Sequence, residues 1–253
     1  MIEVSHVSRQ YALSKKQKAE LQTAAGSINA VNDVSFTCQP GRIFSLLGPN
    51  GAGKTTTLRM IATLLRPSAG TIRVGGLDVV QDAAAVRRKI GFLTGSTNLY
   101  DRLTPAETVK YFADLYGLPD AVFKERKEAL FTQLDIHPFL NKRIGQLSTG
   151  MKQRVSIART MIHDPEVVIF DEPTSGLDVI TAGGIIELIR DCKAAGKTVI
   201  FSSHIMSEVD LLCDELAIIN KGRLVYSNTM AHFRNVSGND SLTATFIRLV
   251  KEG

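Results

Sequence analysis

The sequence predicts an α/β protein with a parallel core, an antiparallel N-terminal sheet and an inserted helical segment. Three observations predict it. Early strand-like runs alternate polar and apolar residues, as strands with one wet face do. Later runs, such as Val167-Val168-Ile169-Phe170, are short and wholly apolar, as strands buried on both faces are. Between about residues 97 and 163 strand signals vanish and helical ones dominate.

Taken in order, strands fall near residues 2–7, 31–37, 43–47 and 71–74, then near 90–93, 167–170, 198–202 and 216–219. The segment 14–27 interrupts the first pair. It reads first as a solvated hairpin extension. Its Lys15, Lys16 and Lys18, followed by Ala19-Glu20-Leu21, also allow a short basic helix at a membrane or partner surface. A helical run over 57–65 follows the third strand. Within the helical stretch, Thr104-Pro105-Ala106-Glu107 is a capping box with proline at the first helical position. The helix it starts carries Val109, Phe112 and Tyr116 on one stripe and ends at Gly117. Surface aromatics here, Tyr100 included, either meet a partner helix or finish the local core.

The third strand, Ile43-Phe44-Ser45-Leu46-Leu47, runs into Gly48-Pro49-Asn50-Gly51-Ala52-Gly53-Lys54-Thr55. This matches the phosphate-binding pattern G-x-x-x-x-G-K-[ST] at every fixed position, and it has the strand before and the helix after that the pattern requires. Three glycines let backbone N–H groups turn inward around phosphate oxygens, and the helix adds its positive end. The nucleotide-binding set runs from Gly48, Pro49, Asn50, Gly51, Ala52 and Gly53 to Lys54, Thr55 and Thr56. Lys54 would reach the β- and γ-phosphates, and the Thr55 hydroxyl would join a magnesium shell. A bare Gly-rich turn that binds nothing has no need of either flanking element.

The run 167–170 ends in Asp171-Glu172. Ligands of open α/β sheets sit beyond the C-terminal ends of such strands. Asp171 is thus placed to hold Mg²⁺, directly or through water, and Glu172 to polarise the water that attacks the γ-phosphorus. Beside a phosphate loop, a merely solvated strand end is the weaker reading.

Leu147-Ser148-Thr149-Gly150-Met151-Lys152-Gln153-Arg154 opens a helix with apolar residues at Met151, Val155, Ala158 and Ile162. An S-x-G at a helix start is on its own only an N-cap. In its order and spacing relative to the other motifs, it resembles the LSGGQ signature of ABC-type ATPases, with Leu147, Ser148 and Gly150 matching and Thr149 and Met151 departing. The resemblance covers almost the whole chain. It implies a P-loop NTPase fold with a RecA-like parallel core, with residues 1–95 and 164–253 as nucleotide-binding core and 96–163 as the helical signature subdomain of a single ABC ATPase domain. It also implies that Ser148, Thr149, Gly150 and Met151 meet the γ-phosphate held by a second ATPase subunit, in a homodimer. Asp178 of Ser175-Gly176-Leu177-Asp178 resembles the D-loop, and His204, after the run 198–202, the switch histidine. Tyr11 resembles the aromatic that stacks on adenine, and residues 241–250 the closing helix.

One position departs from the family. Where a glutamine usually follows the strand at 90–94, this chain has Gly95, and no glutamine occurs between Gln81 and Gln133. Glycine has no side chain to sense a metal, so coupling between ATP occupancy and subdomain rotation is expected to use other contacts, unless the glutamine is dispensable in this branch.

Composition agrees with one globular unit. The chain has 253 residues, 44% hydrophobic and 22% charged. No run approaches a membrane span, and the N-terminus lacks the apolar core of a signal peptide. Cys38, Cys192 and Cys213 are isolated, as reduced structural thiols of a cytosolic protein are. The formal charge of +5 suits phosphate ligands or an anionic membrane surface. Without aromatics interleaved among the basic residues, no nucleic-acid partner is expected.

The reading is an ATP-hydrolysing subunit, with ATP and Mg²⁺ as cofactors, peripheral on the inner face of the cell membrane and driving a separate transmembrane permease subunit. Glu172, His204 and Lys54 would carry catalysis, and Thr55 and Asp171 would hold the metal. The runs Phe92-Leu93-Thr94, Leu99-Tyr100-Asp101-Arg102-Leu103-Thr104 and Phe201-Ser202-Ser203-His204 resemble the ATPases of bacterial ABC-2-type exporters, closest to the sodium-extrusion branch. Two alternatives are a soluble ATPase that remodels the ribosome or DNA, and a weakly hydrolysing regulatory subunit. Single-half length and the lack of sustained heptads count against the first; retained Glu172 and His204 count against the second.

Overall fold

The computed structural model describes residues 1–20, 24–94 and 99–252. Along the chain these form β1 (Ile2–Ala12), α1 (Lys15–Glu20), β2 (Ser27–Cys38), β3 (Ile43–Leu47), α2 (Lys54–Ile61), β4 (Ala69–Val74), β5 (Leu77–Asp78), α3 (Ala83–Lys89) and β6 (Ile90–Thr94). Next come α4 (Pro105–Leu115), α5 (Asp120–Gln133), α6 (Thr149–Met161), β7 (Val167–Asp171), α7 (Val179–Ala194), β8 (Thr198–Ser203) and α8 (Met206–Leu212). β9 (Glu215–Asn220), β10 (Arg223–Thr229), α9 (Met230–Ser237) and α10 (Leu242–Glu252) complete the described chain.

An antiparallel sheet has the order β2-β1-β4-β5, and a second sheet the order β10-β9-β3-β8-β7-β6. The second is parallel from β9 to β6, with β10 added antiparallel at its edge. The pleat divides its side chains between two cores. Ile43, Leu47, Val168, Phe170, Val199 and Phe201 join the core built with α4 to α7. Phe44, Leu46, Val167, Ile169 and Ile200 join the core shared with the antiparallel sheet, α2 and α3. All five residues of β3 and of β7 are buried, which is why these strands carry no polar alternation.

Register matters most for the site. Leu47 pairs with Ser203 and Asp171 with Ser202, so β3, β7 and β8 end level with one another. Whatever follows each strand therefore emerges at one edge.

The helical stretch contains α4 to α6, and its capping box is formed: Glu107 N–H donates to Thr104 Oγ1 (3.3 Å) and Thr104 N–H to Glu107 Oε2 (2.8 Å). The Thr104 N–H and the Thr104 hydroxyl (3.0 Å), both donating to Glu107 Oε2, hold the Glu107 carboxyl below the usual range. The expected stripe is only partly buried. Val109 is in the core, Phe112 is half-buried, and Tyr116 lies outside it, stacked on His163 at 3.7 Å between centroids. Tyr100 meets the edge of Tyr111 on the surface.

Several elements differ from expectation. β1 and β2 stay paired out to Ala12 and Ser27, so the segment after Leu13 does extend a hairpin, but α1 sits at its end. The hairpin extension is formed, and a short helix sits on it; Leu21 lies outside the described residues. The helix expected over 57–65 begins earlier, at Lys54, and ends at Ile61, because Thr63 takes a left-handed φ of 62°. β5 and β10 carried too little pattern to be anticipated. Gly95 lies outside the described residues. The three cysteines are buried and free, and burial pushes the Cys192 thiol up to about 11 and Cys213 to about 12. Among the described residues no helix is long and apolar enough to cross a membrane.

Candidate functional site

The turn from β3 to α2 depends on its glycines. Gly53, the N-cap of α2, has φ 110°, and a Cβ there would lie 2.5 Å from the Ala30 carbonyl oxygen. A Cβ on Gly48 would lie 2.3 Å from the Ile219 carbonyl oxygen. Only glycine lets the loop sit this close to β2 and β9. No side chain caps α2, so its first N–H groups remain open to an anion, as helix N-termini favour. Ala30, Asn50, Gly51, Ala52, Gly53, Lys54, Thr55, Thr56 and Glu172 line a cavity of about 160 Å³.

The level strand ends bring the remaining groups to this cavity. The buried Lys54 ammonium donates to the carbonyls of Gly48 (2.6 Å) and Pro49 (3.2 Å) and lies 3.4 Å from Glu172 Oε1. Thr55 Oγ1 donates to Asp171 Oδ1 at 3.0 Å, and Ser202 Oγ donates to the same oxygen at 2.7 Å. Glu172 is left-handed, with φ 49°, which turns its side chain out of the strand line. Its N–H is held by Ser202 Oγ (3.0 Å), and its Oε1 lies 3.3 Å from His204 Nδ1. One carboxylate oxygen thus faces both a cation and an imidazole. Asp171, Thr55 and Ser202 are hard oxygen donors gathered at one point, the donor type Mg²⁺ prefers.

The signature residues lie elsewhere. Ser148 is the N-cap of α6 and accepts from Met151 N–H (3.3 Å). Asp178 caps α7, accepting from Thr181 N–H (3.0 Å) and Thr181 Oγ1 (2.8 Å). Gly150 packs on Thr181, whose Oγ1 would be 3.2 Å from an added Cβ. Ser148, Thr149, Gly150, Met151 and Asp178 line a second cavity that shares no residue with the phosphate-loop cavity.

Tyr11 is not among the residues lining the phosphate-loop cavity. It pairs with Ile28 in the hairpin, with the Arg9 guanidinium 4.7 Å from its ring centroid. Two site residues escaped the sequence reading. Ala30 borders the cavity from β2, where nothing in its type marks it. Ser202 lies in the run Phe201-Ser202-Ser203-His204, and the signal available was a pair of hydroxyls directly after the apolar Val199-Ile200-Phe201.

The profile of the family described as ABC transporter matches residues 31–175. The ABC transporter ATP-binding protein NatA of Bacillus subtilis is 41% identical, over 100% of this chain and 99% of that protein. The linearmycin resistance ATP-binding protein LnrL of the same organism is 34% identical over 93% of this chain and 76% of its own length. The Nod factor export ATP-binding protein I of Ralstonia nicotianae is 38% identical over 81% and 64%. A solved ATP binding subunit of an ABC transporter matches with TM-score 0.85 at 29% identity, over 98% of this chain and 99% of that one. The ATP-binding cassette MJ0796, in a dimeric post-hydrolysis state bound to ADP and Pi, matches with TM-score 0.80 at 25% identity, over 91% and 99%. Likeness in sequence and in fold over the whole length settles the family: this chain is an ABC transporter ATP-binding subunit, an ATPase coupled to transport.

Proposed function

We propose that two copies of this chain close on two Mg-ATP molecules and, on reopening, drive a separate transmembrane subunit that exports its cargo. The observation that carries this is Glu172, held beyond the end of β7 with its Oε1 between Lys54 and His204 and beside the phosphate loop. In this reading the loop N–H groups and Lys54 bind the β- and γ-phosphates, and Glu172 takes a proton from the attacking water or orients it. His204 then faces charge developing on the transferring phosphoryl group. Thr55 and Asp171 would hold the metal, which supplies charge neutralisation on the phosphate oxygens.

The separation of the two cavities supports a site completed in trans. Ser148, Gly150 and Asp178 need the phosphates of a second copy, and the dimeric state of the MJ0796 cassette is consistent with that. Tyr11 remains the proposed adenine stacker, with Arg9 on one face of its ring. The whole chain would act as one domain, with 96–163 the part that docks on the membrane subunit at the inner face of the membrane. A groove of about 570 Å³ between the two parts, lined by Leu64, Leu65, Phe92, Phe112 and Tyr116, is the surface we assign to that subunit. Export agrees with the name of the Nod factor relative; sodium ions are the cargo favoured by the resemblance to the sodium-extrusion branch.

The test is turnover by Glu172→Gln protein. Steady hydrolysis should fall by about 10²-fold or more while ATP binding is kept; unchanged turnover would remove Glu172 from catalysis. For cargo, membrane vesicles holding the chain and its membrane subunit should accumulate sodium only with ATP. ATP-driven coupling without sodium movement would exclude that cargo.

A further inference from the structure

Glu172 and His204 sit on two separate strand-end turns, after β7 and after β8, and one side chain outside them ties those turns together. Glu208 lies in the first turn of α8. Its Oε1 accepts from Thr174 Oγ1, just past Glu172, and its Oε2 accepts from Ser203 Oγ (3.0 Å), just before His204. Both hydroxyls are buried. Ser203 Oγ in turn accepts from Ile205 N–H (3.0 Å), so the backbone on both sides of His204 is fixed through it. On the other turn, Ser175 N–H bonds the Glu172 carbonyl (3.2 Å), and Gln153 of α6 donates to the Pro173 carbonyl (3.2 Å). Hydrogen bonds to an ionised acceptor are roughly twice as strong as neutral ones, so this carboxylate is a stiff link.

We infer that Glu208 is a positioning residue: its carboxylate clips the turn after β7 to the turn after β8, and so sets the 3.3 Å approach of His204 to Glu172. Glu208 is not among the residues lining the phosphate-loop cavity, so it acts through the other two. The same clip passes through Thr174 to the segment that leads to Asp178, and through Pro173 to the signature helix. A displacement of His204 is thereby felt at the face turned to the second copy. This rests on the catalytic reading of Glu172 and His204 given above.

The experiment is single-turnover and steady-state ATPase kinetics of the purified full-length chain. Glu208→Ala should lower kcat by roughly ten- to a hundredfold, the size expected when a catalytic group is displaced by about 1 Å. KM for ATP should stay within about twofold, because the phosphate loop is untouched. In a His204→Ala background the same change should cost much less, since the approach of His204 to Glu172 that the clip sets is already lost. Glu208→Gln, which keeps one acceptor oxygen, should lose less. Thr174→Val and Ser203→Ala each remove one arm of the clip without removing the carboxylate. Each should lower kcat and be non-additive with Glu208→Ala, which keeps the idea testable if Glu208→Ala folds poorly. An unchanged kcat in Glu208→Ala, with Glu172→Gln inactive, would overturn the clip alone. An equal further loss in the His204→Ala background would also overturn it, by revealing a general structural role. Retained turnover in Glu172→Gln would overturn the catalytic reading itself.

Discussion

At the scale of single residues, backbone conformation decides as much as side-chain chemistry. Glu172 and Gly53 both have positive φ, and each turns the chain at the end or beginning of an element. Gly53→Ala would strain that conformation and push a methyl toward the Ala30 carbonyl. The expected result is at least about tenfold weaker ATP binding, measured by nucleotide fluorescence titration, with a loss of about 1 kcal/mol or more of stability. His163 offers a pH test. Burial lowers its pKa to about 4 from 6.5, while its Nε2 donates to the Ile90 carbonyl at 3.1 Å. The unfolded chain therefore binds a proton that the folded chain refuses between those two values. The contribution of His163 is complete above the unfolded value and is lost as pH falls toward the folded one. Melting temperature should drop between about pH 7 and 5 in the wild type, and His163→Gln should flatten that slope. An equal slope in both proteins would assign the pH dependence to other groups.

Elements respond to substitution through caps and propensities. α7 carries Gly183 and Gly184 in its interior, and nothing lies within 4 Å of a Cβ built on either. Alanine at Gly184 should stabilise the isolated subunit by roughly 0.5–1 kcal/mol, raising the melting temperature by about 2–4 °C per kcal/mol. A fall would mean that the helix needs glycine for a contact with another chain. Ser148 has a local role, as the cap of α6, besides the proposed one in trans. Ser148→Ala should cost about 1 kcal/mol of stability. Ser148→Arg places a long cation at the face proposed to meet the second copy's phosphates, and should block turnover while leaving ATP binding by the phosphate loop intact. Normal activity in Ser148→Arg would argue against the trans site.

Across the whole molecule, two cavities stand apart. Each chain holds a phosphate-loop cavity and a signature cavity with no lining residue in common. Mixing Glu172→Gln chains with Ser148→Arg chains tests whether sites are shared: a trans arrangement leaves one mixed dimer site with both defects and the other with neither. Mixtures should therefore hydrolyse ATP where each variant alone does not. Mixtures as inactive as the parents would argue against the trans arrangement, since sites built within one chain would each keep one defect.

Much of this was legible in the chain because phosphate binding demands particular residues in a fixed local order. Gly48 to Thr55 and Asp171-Glu172 are contiguous, so their chemistry survives reading one residue at a time, and so does the capping box at Thr104. The parallel core was legible because burial on both faces leaves β3 and β7 short and mostly apolar, with no polar alternation along them. Weaker signals failed where long-range pairing creates the element: β5 has two residues, and β10 has a mixed burial pattern along its length. Only the tertiary structure put Ser202 on Asp171, Ala30 against the loop and Glu208 between Thr174 and Ser203. These contacts join residues about twenty or more positions apart, apart from the local Ser203 contact, and depend on strand ends being level. Sequence determined which groups the site contains, because local geometry and chemistry select them. The register of the sheet decided which of them touch, because pairing between strands is set by the packing of the whole core.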